Sequence, residues 1–202
     1  MDWTSNPDLV RRLSAVMPNI NALAPGAKKT VHRSVASYLQ GRAARAAVHE
    51  NDGTWVPGVC SIQLLTACNL RCKGCHVSGG SVPKHFDRER YHGVMRELEE
   101  AGCRFVLLLG GEPMLLSEEV FAFAETFPSM TFLVFTNGIL WKDEHLDRLE
   151  RAGNLVPMIS VEGDRELTNA RRGERVFERL SDFQEKLAAR QILHGISVMV
   201  HS

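Results

Sequence analysis

From residue 59 onward, short apolar runs alternate with amphipathic stretches, and each run ends in a turn signal. This alternation restricts the fold more than any other feature of the chain. The apolar runs, residues 60–65, 104–109, 131–135, 155–161 and 195–200, read as five strands. Between them lie helical patterns. One begins near Asp87, a good N-cap, carries Tyr91, Val94, Met95, Leu98 and Ala101 at three- and four-residue spacing, and stops at Gly102. Others cover residues 117–126, 143–152 (stopped by Gly153) and 174–190, the last with Val176, Leu180, Phe183 and Leu187 on one face. Repeated βα units predict a parallel sheet with right-handed crossovers and helices outside. Short connections favour a barrel-like sheet, whose functional end lies beyond the C-terminal ends of the strands, where every βα loop converges.

The loop after the first predicted strand reads Cys68-Asn69-Leu70-Arg71-Cys72-Lys73-Gly74-Cys75, a C-x3-C-x2-C run that uses three of the chain's 5 cysteines. Thiolates select zinc, copper(I) or iron–sulfur clusters over hard cations. A four-iron cluster held by three thiolates keeps one iron open to another ligand, which means chemistry rather than electron storage alone. The next three loops carry Gly110-Gly111-Glu112-Pro113, Thr136-Asn137-Gly138 and Ser160-Val161-Glu162-Gly163, so the topology brings all four to one rim.

The cysteine run and the Gly-Gly-Glu-Pro segment, in this order and about 35 residues apart, resemble the signature of the radical S-adenosylmethionine (SAM) enzymes. The resemblance implies a partial (β/α) barrel in which Cys68, Cys72 and Cys75 hold a [4Fe-4S] cluster, its fourth iron chelated by the amino and carboxylate groups of SAM. It implies that main-chain groups of Gly110 and Gly111 hold the SAM amino group, while Glu112 supports the loop and Pro113 stiffens it. Thr136 and Asn137 match the family's Thr-Asn-Gly segment, which bonds the ribose or lines the substrate cavity. Ser160 and Glu162 fall where the family carries Ser-Leu-Asp-Gly. Arg172, in Asn169-Ala170-Arg171-Arg172-Gly173, aligns with a His-Asp-x-x-Arg-Gly pattern and would contact the SAM carboxylate in bidentate fashion. His76 replaces the usual aromatic residue and would stack on the adenine. Arg71 and Lys73 add positive charge that favours the reduced cluster, and Gly74 relieves crowding in the loop. The activity implied starts from an external one-electron donor of the flavodoxin or ferredoxin type. The electron cleaves SAM reductively to methionine and a 5′-deoxyadenosyl radical, which modifies a substrate that the sequence does not identify. Whether the reaction is an oxidoreductase or a transferase step stays open.

The resemblance covers residues 59–202, so the expected organisation is a helical extension over 1–55 and a radical SAM core over 56–202. That family core has six βα units and this chain ends after its fifth strand, which predicts a truncated barrel. Residues 6–17 and 27–48 read as helices separated by Pro18, Pro25 and Gly26, with Asn51-Asp52-Gly53 as a turn. The second has Val31, Val35, Tyr38, Leu39 and Ala46 near one face and Lys28, Lys29, Arg33, Arg42 and Arg45 elsewhere. It is expected to pack on the core with its charges in solvent; peripheral contact with an anionic membrane is the alternative.

With 24 basic and 24 acidic residues the formal charge is zero, and nothing in it suggests a nucleic-acid partner. No apolar run approaches the roughly 20 residues that span a bilayer, and the start lacks the pattern of a secretory signal. A cytoplasmic location follows, where thiols stay reduced. Cys60 and Cys103, beside strand-like runs, read as small buried hydrophobes. Two other readings of the motif are a zinc-binding module using Cys68, Cys72, Cys75 and His76, and a non-catalytic iron–sulfur electron carrier. Adjacent Cys75 and His76 are poorly placed to complete one tetrahedron, and a ferredoxin-like carrier needs a fourth cysteine in register.

Overall fold

Parallel pairing in simple sequence order, β1-β2-β3-β4-β5, organises the computed structural model, which describes residues 18–77 and 87–199. The strands are β1 (Val59–Gln63), β2 (Phe105–Leu109), β3 (Thr131–Thr136), β4 (Leu155–Val161) and β5 (Gly195–Val198). Besides the helical residues 18–22, the helices are α1 (Pro25–Asp52), α2 (Arg88–Glu100), α3 (Ser117–Thr126), α4 (Asp143–Ala152), α5 (Arg165–Arg172) and α6 (Val176–Ala189), with a 3-10 turn at Pro113–Leu116. The α/β alternation and the partial barrel are therefore as the sequence predicts. The helix expected over residues 6–17 lies outside the described residues.

Each strand presents one face to the helices and the other to the barrel interior. Val106, Leu108, Phe132, Val134 and Ile159 are fully buried against Val120, Phe121 and Phe123 of α3 and Leu146 and Leu149 of α4. Burying such a side chain contributes about 1.5–3 kcal/mol. Buried Asn154, just before β4, donates its amide to the carbonyls of Ala124, Phe127 and Met130 at 3.0–3.2 Å, gathering the end of α3 and the start of β3. On the opposite face, Gln63, Leu109, Phe135 and Ser160 turn towards the interior near the strands' C-terminal ends.

Helix α1 departs from its expected packing. Its buried residues are Ala27, Ser34, Ser37 and Gly41, a stripe of small side chains rather than Val31, Val35 and Leu39. The stripe lets the helix cross the strands' N-terminal ends at close range. Gly26 donates to the Gln191 side chain before β5, and Arg33 donates to the Ala152 and Pro128 carbonyls before β4 and β3. Thr131 Oγ1 of β3 donates to Ser34 Oγ at 2.9 Å, Ser37 donates to the Ser129 carbonyl, and Arg45 donates to the Gly102 carbonyl before β2. A Cβ on Gly41 would overlap that same Gly102 carbonyl. The helix thus packs on the core, as expected, and closes the end opposite the functional rim. It runs four residues past its predicted end, so Asn51 and Asp52 are helical and Gly53, at φ 77°, is the left-handed stop. No described helix is long and apolar enough to cross a membrane.

Helix α5 was not anticipated, because Arg165–Arg172 buries only Thr168 and shows no apolar period. Local chemistry makes it: the Asp164 carboxylate accepts from Leu167 N at 2.8 Å as an N-cap. Arg175, left-handed at φ 59°, then separates it from α6, which starts two residues later than predicted.

Cys60 and Cys103 lie at the strands' N-terminal ends, remote from the other three cysteines. Cys103 is fully buried, as the sequence suggests, and Cys60 packs against the core. The hydrogen bond they share, together with burial, pushes the Cys60 thiol up.

Candidate functional site

The cysteine loop is built as a continuation of the sheet. Beyond β1, Leu64 N donates to Leu109 O, Gly111 N to Leu65 O and Glu112 N to Ala67 O, each at 2.9 Å, so the first two βα loops are zipped together before either turns away. Gly111 is demanded by this zipper. A Cβ there would overlap the carbonyls of Ala67 and Thr66, one and two residues ahead of Cys68, and one on Gly110 would lie 2.9 Å from Leu65 O. The close approach at these glycines is by the cysteine loop itself. Gly74 likewise serves conformation rather than crowding: its φ is 71° and nothing lies within 4 Å of a Cβ built there.

The four loops meet as predicted. Cys68, Cys72, Cys75, His76, Gly110, Gly111, Thr136, Asn137, Ser160 and Arg172 all line one cavity of about 260 Å³. Glu112 and Glu162 stand behind its wall, both buried, and each organises part of it.

Glu112 is 0% exposed, and its carboxylate accepts from Met114 N (3.0 Å), Thr136 Oγ1 (2.8 Å) and Asn137 N (2.7 Å). Burial pushes its pKa up, and these donors oppose the rise by favouring the ionised form. Thr136 is saturated: its hydroxyl donates to Glu112 and accepts from Gly138 N (3.0 Å) and Trp141 Nε1 (3.1 Å). It lines the cavity without a free hydroxyl for a ribose. Asn137 turns its amide nitrogen to Asn69 Oδ1 (2.8 Å) and Cys68 Sγ (3.7 Å).

Glu162 is gripped by two arginines. Arg171 Nη1 reaches Oε2 at 2.9 Å, and Arg172 reaches Oε1 through Nε at 3.0 Å and Nη2 at 2.5 Å. Two Arg172 donors, expected to clasp a ligand carboxylate, converge in this structure on one oxygen of a protein carboxylate, while Arg171 takes the other. Arg171 also braces the cysteine loop: Lys73 N donates to Arg171 O at 2.9 Å, and Arg171 Nε donates back to Lys73 O at 3.2 Å. Burial pushes the Cys72 thiol up while Arg172 and Arg171 pull it down, and burial likewise raises Cys68 against the Leu70 N–H. Metal ligation removes these protons outright.

Among the described residues, no three His, Cys, Asp or Glu side chains converge tightly enough to hold one metal ion. Three thiols lining one cavity are the soft donor set that an iron–sulfur cluster takes. His76 lies exposed at the rim. Sequence reasoning missed Asn69, Arg171, Gln63, Leu109, Phe135 and Met199. The period-2 pattern running into Gly110, Thr136 and Ser160 marks the strand-borne members of this set, but nothing in the sequence marks Asn69.

The family model described as the Radical SAM superfamily matches residues 62–201. Over 114 residues the chain is 34% identical to the sporulation killing factor maturation protein SkfB of Bacillus subtilis, an alignment covering 54% of this chain and 27% of SkfB. Streptococcus suis SuiB bound to S-adenosylmethionine shares the fold with TM-score 0.66 at 19% identity, over 81% of this chain and 40% of SuiB. SuiB bound to its precursor peptide SuiA gives TM-score 0.65 at 17% identity, over 81% and 38%. The chain thus spans well under half the length of each of these relatives.

Proposed function

Because the chain belongs to the radical SAM superfamily, a family of enzymes that use a [4Fe-4S] cluster and SAM, we propose that it binds both through its cysteine rim and modifies a peptide. One observation carries the reading: three thiols and the Gly110-Gly111 backbone line the same cavity, with no side chain from the glycines between them. When bound, the cluster and SAM supply reductive cleavage of a carbon–sulfur bond to methionine and a 5′-deoxyadenosyl radical, which takes hydrogen from the substrate.

The chain's own residues bind, orient and shield. Cys68, Cys72 and Cys75 are the iron ligands. Gly110 and Gly111 offer main-chain groups to the SAM amino group, His76 offers a ring to the adenine, and Ser160 lines the cavity. Glu112 holds the second and third loops in register from beneath. The Glu162 pair with Arg172 fixes a cation at the cavity wall, where a SAM carboxylate would meet a preoriented partner. Leu109 and Phe135 exclude water from the floor. Exposed Arg71 and Lys73 beside the cysteine loop suit an acidic one-electron donor of the flavodoxin or ferredoxin type. A reducing, cytoplasmic setting accords with three thiolates kept free for metal.

The peptide reading draws on SkfB, named as a maturation protein, and on SuiB, solved with its precursor peptide. Anaerobically reconstituted protein, given dithionite, SAM and short peptides encoded beside it, tests the proposal. The expected result is 5′-deoxyadenosine formation accompanied by a peptide of altered mass. SAM cleavage with every peptide unchanged would remove the peptide reading and leave the SAM reading standing.

A further inference from the structure

The buried network behind the cavity ends on a sulfur. Asn137 is 6% exposed, and its backbone N–H is fixed by Glu112 Oε2 at 2.7 Å. Which end of its side-chain amide faces Cys68 is settled by the surroundings. The Ile139 backbone N–H, a donor only, points at Asn137 Oδ1 at 3.0 Å, so the amide nitrogen must face the other way. Its two hydrogens then serve Asn69 Oδ1 at 2.8 Å and Cys68 Sγ at 3.7 Å. Leu70 N adds a second donor to the same sulfur at 3.4 Å. Cys72 is treated differently, its nearby positive charge coming from Arg172 and Arg171.

The geometry points to Asn137 as a positioning residue that acts through Cys68, its amide N–H donating to the cluster-ligating sulfur and raising the cluster's reduction potential. This rests on the reading that Cys68 ligates an iron of the [4Fe-4S] cluster. When a ferredoxin- or flavodoxin-type donor gives up one electron to that cluster, and is itself oxidised by one, negative charge grows on the thiolate sulfurs. An N–H dipole aimed at one of them stabilises the reduced state more than the oxidised state. Asn137 itself is 6% exposed, so its side of the contact is poorly screened by water, while Cys68 is half-buried at the cavity. A purely mechanical role would be different: the Asn137–Asn69 bond ties the third loop to the first and would matter equally if the sulfur were not involved.

The test is an EPR-monitored redox titration of the anaerobically reconstituted full chain without SAM, with iron content measured on each sample. Asn137→Ala removes both bonds, Asn137→Asp keeps the shape and the acceptor for Ile139 but removes the N–H and adds charge, and Asn69→Ala breaks the loop tie while leaving the Asn137 N–H on the sulfur; Asn69 Oδ1, 3.9 Å from Cys68 Sγ, accepts from a thiol and so makes no such bond to a ligated thiolate. The expected order of midpoint potentials is wild type highest, Asn137→Ala lower and Asn137→Asp lowest, with Asn69→Ala unshifted. Equal potentials in iron-loaded wild type and Asn137→Ala would overturn the inference, as would an equal downward shift in Asn69→Ala. Loss of iron from both Asn137 variants would assign the residue to holding the loop and also overturn it. A wild-type protein that takes up no iron would overturn the cluster reading itself, a result distinct from unchanged potentials in loaded protein.

Discussion

At the scale of single residues, the site depends on where backbone meets backbone. Gly111 has no room for a Cβ because the Ala67 carbonyl occupies that space, and the residue after Ala67 is an expected iron ligand. Gly111→Ala must therefore push the cysteine loop. Denaturant unfolding of the purified variant should show a loss of about 1–3 kcal/mol, and its iron uptake should fall with it. Gly93, inside α2 with nothing within 4 Å, is the contrasting position: Ala there should gain about 0.5–1 kcal/mol. Unfolding of Gly111→Ala at the wild-type midpoint, with full iron uptake, would show that the zipper yields without cost. The sequence singles out both site glycines, but two adjacent glycines reveal only that something comes close, not what. Thr136 and Arg172 teach the same lesson. The place of Thr136 on the rim is legible from topology and that of Arg172 from the family resemblance, whereas the partners that occupy them, Glu112 and Glu162, are known only once the loops are folded against each other.

At the scale of elements, long apolar periods were readable and polar helices were not. Helices α2, α3, α4 and α6 declare themselves by spacing and by stop signals such as Gly102 and Gly153. Helix α5 escaped because an N-cap and two paired arginines, not an apolar face, hold it in place. Helix α4 carries a pH-dependent device at its start. His145 is 4% exposed, packs against the Phe121 and Trp141 rings, and accepts the Lys142 N–H on Nδ1 at 3.2 Å. Burial holds its pKa below the ordinary 6.5. Below 6.5 the unfolded chain therefore takes up a proton that the folded state resists. The stability His145 contributes is complete above 6.5 and is lost as pH falls from there through the lowered folded value. Thermal melts one unit above and one unit below 6.5 should show wild type losing more stability on acidification than His145→Gln. Equal losses would show that the imidazole tolerates its proton in place.

At the scale of the whole molecule, the parallel sheet separates two jobs. The N-terminal ends of the strands are held by α1, and the C-terminal ends carry the cavity, so the rim loops stand on a base braced from below. The order of strands follows from the βα alternation and its handedness, which is why the fold and the convergence of four loops could be read early. The seating of α1 could not, because its partners are the carbonyls of Gly102, Pro128, Ser129 and Ala152, which no side-chain pattern encodes. We propose that the rim is a three-thiolate cluster site. Iron and acid-labile sulfide analysis of the anaerobically reconstituted chain, beside Cys72→Ala, tests it most directly. About four irons and four sulfides per wild-type chain are expected, and both should be lost in Cys72→Ala. One zinc per chain, with no iron taken up on reconstitution, would contradict the proposal.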